Sequence, residues 1–243
     1  MAITEYFIRY LQRRDLLHDA DIACLRALQT TRACFQPGEV IVPEGRMTRQ
    51  SCMMLRGMSA RQHMLTGRPT ERVITALHVP GDFVDLHAFV LAGLDHQVVS
   101  MGPSEVEFVD HDELREITAN FPHLTRLLWM STVIDAAIHR QWLVAAASLR
   151  SSGHLAHLLC EIYTRLACVG AACDHVFTLP LLQRELADIL GYTPIHINRA
   201  VRDLRDGGLI RWNGQEVRIL NWPELVRLGR FDPAYLDLDR VRR

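Results

Sequence analysis

The chain has 243 residues, a formal net charge of −1 at pH 7, and 49% hydrophobic against 23% charged residues, a composition typical of one large or two modest globular domains. Its apolar runs are shorter than the ~20 residues that a membrane helix needs, and its N-terminal residues lack the apolar core of a signal peptide. These features exclude an integral membrane protein, so we expect a cytoplasmic protein with no membrane partner.

The cysteines give little support to metal or redox chemistry, and the basic residues are all of one type. All 27 basic residues counted as Lys or Arg are arginines, which the base composition of the genome explains. The spacing of the cysteines matches no zinc module or iron–sulfur motif, so we expect reduced thiols, no metal site and no catalytic residue. The six cysteines are Cys24, Cys34, Cys52, Cys160, Cys168 and Cys173.

The N-terminal 110 residues change from a helical to a β-strand pattern. Residues 1–30 have a helical pattern, with Asp21 as the expected cap of a helix over 21–29. Between Ala33 and Val109, short β-prone runs alternate with Gly and Pro turns, which predicts an antiparallel β-roll of the jelly-roll type. These runs are 39–42, 51–55, 72–79, 96–101 and 105–110.

A long helix is predicted next. Pro122 suits the first position of a helix that continues to about Ser148 without an internal Gly or Pro. Its apolar positions cover more than one face, so one face is expected to pack on the roll and another on a second copy. The residues assigned to this dimer face are Leu127, Met130, Ile134 and Ile138. A polar hinge is expected at 150–153, followed by a helix over 154–169.

Residues 183–202 have the spacing of a helix-turn-helix. Leu186, Ala187 and Leu190 form the apolar face of a short first helix, and Gly191 stands where the chain must turn. Thr193 is expected to cap the second helix, with Pro194 at its first position.

The second helix should be buried on one side only. Ile197, Val201 and Leu204 have helical spacing and form the buried face. A free face carrying Asn and Arg suits the major groove of DNA. The residues expected on that face are Ile195, Asn198, Arg199 and Arg202.

A β-hairpin is expected to follow this helix. Gly207 and Gly208 end the helix, and Asn213-Gly214 between two β-prone runs indicates a hairpin turn. The combination predicts a winged helix rather than an ordinary helical hairpin. The fold class is therefore α+β, with a roll over 1–110, a long helix region over 111–149 and a winged helix-turn-helix over 150–243.

Four segments in this order resemble the Crp/Fnr family of bacterial transcription regulators. They are PGEVIVPEG at 37–45, SCMMLRG at 51–57, PGDFVDLHAF at 80–89 and the helix-turn-helix at 183–210. The resemblance implies a homodimer that binds palindromic double-stranded DNA, and a small molecule, gas or redox signal that changes its DNA affinity.

The effector region departs from the family pattern. Cyclic-nucleotide members carry a Gly-Glu pair and an Arg-Ser pair that hold ribose and phosphate; here Asp85-Leu86 and His96-Gln97 fall near those positions. A cyclic phosphate buried without its arginine would be costly, so we expect no tight binding of cyclic AMP. The residues of the expected effector pocket are Val84, Asp85, Leu86, His96 and Gln97.

Other cofactors of the family are also disfavoured. Oxygen-sensing members carry an N-terminal cysteine cluster, whereas residues 1–30 contain only Cys24, which argues against an iron–sulfur cluster. Haem stays open because His78, His87 and His96 fall near the roll's pocket, although we expect them in turns or at the surface. The effector is therefore unknown.

The DNA-contacting residues carry over only in part. The best-known member reads bases with Arg and Glu at positions that Pro194 and Ile195 occupy here, whereas the later Arg is present as Arg199. We expect Arg199 to read guanine and Ile195 to touch a thymine methyl group. The remaining expected contacts are Thr193, His196 and Asn198 on the recognition helix, and the phosphate contacts Arg202 and Arg218.

The leading prediction is thus a dimeric, sequence-specific transcription regulator and not an enzyme. The alternative is a sensory protein of the same architecture that acts through protein contacts and has lost DNA binding. The choice between activation and repression depends on contacts with RNA polymerase and on operator position, which the sequence leaves open.

Overall fold

A computed structural model describes residues 3–45, 47–65 and 68–242. Its helices are α1 (Ile3–Gln12), α2 (Asp19–Ala27), α3 (His111–Asn120), α4 (Pro122–Ser148), α5 (Ser151–Cys168), α6 (Gln183–Leu190), α7 (Pro194–Asp206) and α8 (Trp222–Gly229). Its strands are β1 (Thr30–Phe35), β2 (Val40–Val42), β3 (Gln50–Arg56), β4 (Ser59–Leu65), β5 (Arg68–His78), β6 (Gln97–Ser100), β7 (Ser104–Asp110), β8 (Val176–Thr178), β9 (Ile210–Asn213) and β10 (Glu216–Ile219).

Strands β1 to β7 form the predicted antiparallel roll. One sheet has the order β1-β7-β3 and the other β2-β6-β4-β5. Apolar side chains from both sheets fill the space between them, as alternation along half-buried strands requires. This interior cluster is Ile41, Val42, Cys52, Met54, Val84, Ala88, Leu94, Val98 and Val106. The α+β fold class is confirmed, while β1, β4 and β8 were not among the predicted strands.

The second N-terminal helix begins two residues earlier than predicted. His18, not Asp21, is the residue before α2, and Asp21 is the third residue of the helix. The Asp21 carboxylate accepts a hydrogen bond from the backbone N–H of His18 at 2.9 Å. Asp21 therefore still satisfies a backbone donor at the start of the helix, but from inside its first turn.

Helix α4 has the predicted bounds, and its two apolar faces have different environments. The four residues that were assigned to the dimer face are instead buried within the single chain, between 0% and 9% exposed. They join the core formed with the roll and the C-terminal segment. The exposed apolar side chains of α4 are different ones, namely Trp129, Val133, Leu143 and Val144. The assignment of Leu127, Met130, Ile134 and Ile138 to a dimer face is therefore corrected, because other parts of the same chain cover that face.

The link from α4 to the C-terminal domain is shorter than the predicted hinge. Helix α5 begins at Ser151, so only Leu149 and Arg150 separate it from α4. Gly153 lies inside α5 and is buried. Helix α8 packs so closely on α5 that a Cβ atom at Gly229 would stand 2.6 Å from the backbone nitrogen of His157. In the described part of the chain, no helix is long and apolar enough to cross a membrane.

A buried polar network connects the C-terminal domain to the roll. Arg165 of α5 donates to Asp82, which follows β5, at 2.6 Å, and to Glu161 at 2.9 Å. Tyr235 donates to the same Glu161 at 2.8 Å, and the Trp142 indole of α4 donates to it at 3.2 Å. One buried carboxylate thus joins α4, α5 and the C-terminal segment, while Arg165 extends the network to the roll.

Candidate nucleic-acid interface and effector groove

The turn between α6 and α7 is built by local sequence. Glu185 accepts a hydrogen bond from the backbone N–H of Leu182 at 2.7 Å and so caps α6. Gly191 adopts φ = +71°, the left-handed conformation that glycine adopts at little cost. The backbone N–H of Tyr192 then bonds back to the carbonyl of Ala187 at 3.0 Å. These contacts fix where α7 begins.

Helix α7 starts as the sequence indicated. The Thr193 hydroxyl accepts a hydrogen bond from the backbone N–H of His196 at 3.4 Å and also lies 2.9 Å from His196 Nδ1. Pro194 occupies the first helical position. The buried face consists of Ile197, Ala200, Val201 and Leu204. A cap, a proline and a packed face together hold this helix in one orientation.

The opposite face of α7 is free for a ligand. Ile195 is 72% exposed, and His196, Asn198, Arg199 and Arg202 are exposed as well. Within the described residues, neither Arg199 nor Arg202 forms an ion pair or a side-chain hydrogen bond. Unpaired guanidinium groups on an exposed helix face can donate paired hydrogen bonds to guanine or to phosphate.

The hairpin after α7 differs by one residue from the prediction. Asn213 still pairs with Glu216, so the loop is Gly214-Gln215 rather than Asn213-Gly214. Gly214 provides the positive φ of +57°. Arg218 lies directly opposite Arg211 on the neighbouring strand, and both are exposed. Because directly opposed side chains share a face, this strand pair presents two adjacent guanidinium groups. Alternation of polar and apolar residues in β9 would have identified Arg211.

Most of the residues of the expected effector pocket are buried in the roll. Val84, Asp85 and Leu86 are buried, and Val84 belongs to the interior apolar cluster. Asp85 Oδ1 accepts a hydrogen bond from the backbone N–H of Cys52 at 2.7 Å, whereas its Oδ2 has no hydrogen-bond partner among the described residues. Burial raises the pKa of Asp85 to about 7. Val84, Asp85 and Leu86 therefore offer little exposed surface to an effector.

An open groove lies instead between the outer face of the roll, α4 and α6. Its volume is about 760 Å³, and α6 contributes Asp188, Ile189 and Leu190. Its polar lining includes three carboxylates, Asp95, Asp135 and Asp188, and five histidines, His63, His87, His96, His139 and His154. His96 therefore reaches this groove, whereas Gln97 lines a neighbouring cavity on the roll.

Arg61 contributes a positive charge to this histidine-lined groove. Its guanidinium donates to Asp135 of α4 at 3.0 Å and lies 2.8 Å from His139 Nε2. Arg61 Nε is buried and has no partner among the residues described. Sequence reasoning missed Arg61 and His63 because β4, a polar strand, was not predicted. The groove thus presents a partly paired cation, carboxylates, imidazoles and apolar walls.

The roll histidines are not surface residues. His78 and His96 are only 2% and 3% exposed, which corrects the expectation of turn or surface positions. Burial lowers the pKa of His78 well below its ordinary value and lowers that of His87 to about 4. These imidazoles are therefore neutral at pH 7, and neutral imidazoles can donate or accept hydrogen bonds.

Comparison with known proteins agrees with this geometry. A family model described as a Crp-like helix-turn-helix domain matches residues 153–228. The "Transcriptional regulatory protein btr" of Bordetella pertussis is 27% identical over 155 residues, which cover 64% of this chain and 64% of that protein. That match spans less than two thirds of the relative's length. The "Transcriptional activator protein FnrA" of Stutzerimonas stutzeri is 23% identical over 189 residues, 76% of this chain and 74% of that protein.

Solved structures share the fold over most of the chain. FixK2 from Bradyrhizobium japonicum superposes with a TM-score of 0.73 at 20% identity, covering 83% of this chain and 98% of that one. TTHA1359 from Thermus thermophilus, described as a transcriptional regulator of the CRP/FNR family, gives a TM-score of 0.59 at 16% identity and covers 82% of this chain and 98% of that one. Residues 153–228 are therefore similar to a Crp-like helix-turn-helix domain, and most of the chain has the fold of solved CRP/FNR-type transcription regulators.

Proposed function

We propose that the protein is a sequence-specific regulator that binds double-stranded DNA as a homodimer. The observation that carries the proposal is the exposed Asn and Arg face of α7, held by the Thr193 cap on one side and a packed apolar face on the other. Arg199 is the proposed guanine reader, at ~1–3 kcal/mol for a good bidentate pair, and Arg202 a phosphate contact. The proposed role is regulatory rather than catalytic. A protein with this role would be located with DNA in the bacterial cytoplasm.

The exposed stripe of α4 supports the homodimer. Trp129, Val133, Ala136, Arg140 and Leu143 follow one another along one side of the helix at spacings of four, three, four and three residues, and Trp129, Val133 and Leu143 are exposed apolar side chains. This is the heptad spacing of a coiled-coil seam. Two copies joined along it would be related by a two-fold axis and would present two α7 helices to a palindrome with half-site centres ~34–36 Å apart. RNA polymerase is a further proposed partner if the bound dimer activates transcription.

The histidine-lined groove is the proposed site of effector control. It is bordered by the roll, by α4 beside the exposed stripe, and by α6 of the helix-turn-helix. A ligand that prefers one arrangement of these three elements would shift DNA affinity through that difference. Cyclic AMP and an iron–sulfur cluster are not the proposed effectors, because residues 84–86 of the expected pocket are buried and Cys24 is alone in the first 30 residues.

The test begins with selection of double-stranded DNA from a random library by the full chain. On the selected duplex, Arg199→Ala should lose ~10–100-fold in affinity and lose discrimination at one base pair of each half-site. Arg202→Ala is the matched control. Loss of a phosphate contact should weaken binding equally for all DNA sequences and lower the salt slope by ~1. Selection that enriches no duplex, or unchanged base discrimination by Arg199→Ala, would contradict the proposal.

A further inference from the structure

Another polar cluster lies where the N-terminal helices meet the start of α4. Asp21 Oδ2 lies 3.0 Å from His18 Nδ1 and 2.7 Å from His123 Nδ1. His18 and Asp21 come from the start of α2, and His123 is the second residue of α4, 102 positions later. The tertiary fold therefore builds the cluster, which is not a local sequence motif.

The geometry suits a small tetrahedral metal ion. The three ligand atoms all lie within 4.8 Å of one another. In a tetrahedral zinc site with bonds of ~2.0–2.1 Å, ligand atoms stand roughly 3.3 Å apart. The two distances from Asp21 Oδ2 to the imidazole nitrogens, 3.0 Å and 2.7 Å, are close to that separation. Two imidazoles with one carboxylate favour zinc-class metals over calcium or magnesium, which prefer oxygen ligands.

The surroundings also favour a bound cation. His123 Nε2 is buried without a hydrogen bond of its own and lies 3.5 Å from the carboxylate of Asp15, which is fully buried. A carboxylate behind a histidine is the usual outer partner of a metal-bound imidazole.

The cluster can be reached from solvent. The His18 side chain is 54% exposed, whereas those of Asp21 and His123 are 6% and 11% exposed. The opposing contact is Arg242, whose guanidinium lies 3.5 Å from His18 Nε2. Arg242 is an exposed residue, so it can move away when an ion binds. One side of the cluster thus remains available for entry and for a water ligand.

We propose that His18, Asp21 and His123 form a binding site for a divalent zinc-class metal, which links the N-terminal helices to the start of α4. Three protein ligands leave the fourth tetrahedral position to water. Ion binding to the folded chain alone would raise its thermal stability. Metal binding at this site would fix the base of the long helix that joins the roll to the DNA-binding domain.

The test uses the full chain, reduced, with Zn²⁺ as the only added ligand. We expect one Zn²⁺ in anomalous-scattering maps, ~2.0–2.2 Å from the three ligand atoms, and a Tm that rises with Zn²⁺ concentration. His18→Gln should weaken this binding more than ~10-fold, since loss of even an outer partner costs 10–100-fold. His175→Gln, a partly exposed histidine outside the cluster, is the matched control and should bind as the wild type does.

Anomalous density only at cysteines, or none at the cluster, would overturn the site, as would His18→Gln with wild-type affinity. His18 is the half-exposed member, so its substitution should leave the fold intact, which the metal-free Tm checks. DNA is absent from these measurements, so their result is independent of the proposed regulatory function.

Discussion

At the scale of single residues, burial rather than residue type sets the chemistry of the roll. Asp85 falls at the glycine of the Gly-Glu pair of cyclic-nucleotide members, one residue before the position of the ribose-binding acid, and it lies 1% exposed beside the apolar interior cluster. Its Oδ2 has no hydrogen-bond partner among the described residues, which explains why burial raises its pKa to about 7. Asp85 is therefore largely uncharged in mildly acidic solution.

This raised pKa predicts a pH-dependent stability. The folded state holds a proton on Asp85 that the unfolded state releases near pH 4, so the free energy of unfolding should fall by up to ~1.4 kcal/mol per pH unit up to the folded pKa of about 7 and then level off. Asp85→Asn removes the titrating carboxyl group, so the free energy of unfolding of the variant should not show this decrease with pH. Urea unfolding should therefore show the variant gaining roughly 2 kcal/mol over the wild type between about pH 5.5 and about pH 8.5. A pH-independent difference would contradict the assignment.

Residue exposure was predictable on α7 but not in the roll. On α7, the helical period of 3.6 residues alone predicts which side chains are buried. It places Ile197 and Val201 on one face and Asn198 and Arg199 on the other. His78 and His96 lie within or next to strands, and their burial depends on what α4 and the neighbouring strands cover. No local pattern reports that coverage, so the two were expected at the surface.

At the scale of elements, the cap of α7 is the feature that most directly couples sequence to the DNA interface. Thr193→Ala removes the acceptor for the backbone N–H of His196 and should lower the free energy of unfolding by ~1 kcal/mol. It should also weaken DNA binding, because the helix start then frays. Thr193→Ser keeps the hydroxyl and should behave as the wild type in both measurements. Equal stability of the Ala and Ser variants would show that the cap is dispensable.

Element boundaries were predicted where the sequence carries a stop or start signal. Pro122 marks the start of α4, and the absence of Gly and Pro beyond it allows the helix to continue to Ser148. Strand β4 was missed because Arg61, Gln62 and His63 interrupt its apolar pattern. Those polar residues lie there because one side of β4 faces the groove beside α4. This arrangement depends on the tertiary structure and not on the local sequence.

At the scale of the whole molecule, the exposed stripe of α4 determines the expected assembly. Leu143 is 72% exposed in the single chain and would lie in the seam between two copies. Leu143→Asp places a charge in that apolar seam and should convert a dimer into a monomer in sedimentation measurements. Ile195→Asp changes a residue of equal exposure, 72%, on α7 and should leave the dimer intact. If the Leu143→Asp variant remained dimeric, the dimer interface would have to lie elsewhere on the chain.

The contacts between the roll and the C-terminal domain could not be predicted from the sequence. Arg165 and Asp82 are separated by 83 positions and carry no motif that pairs them. The dimer-face error has the same origin, since Ile134 and Ile138 have a helical spacing that fits either apolar face of α4. The sequence motifs specify the modules, whereas long-range packing decides which faces remain free.

The salt dependence of DNA binding tests the central claim most directly. The proposed dimer should bind its selected duplex with an affinity that falls steeply with salt, with a slope of about −0.9 for each phosphate neutralised, and Arg202→Ala should reduce the slope by ~1. A footprint of two half-sites one helical turn apart should accompany it. Absence of binding to any selected duplex, or an affinity that salt does not change, would contradict the assignment of α7 as a DNA-reading helix.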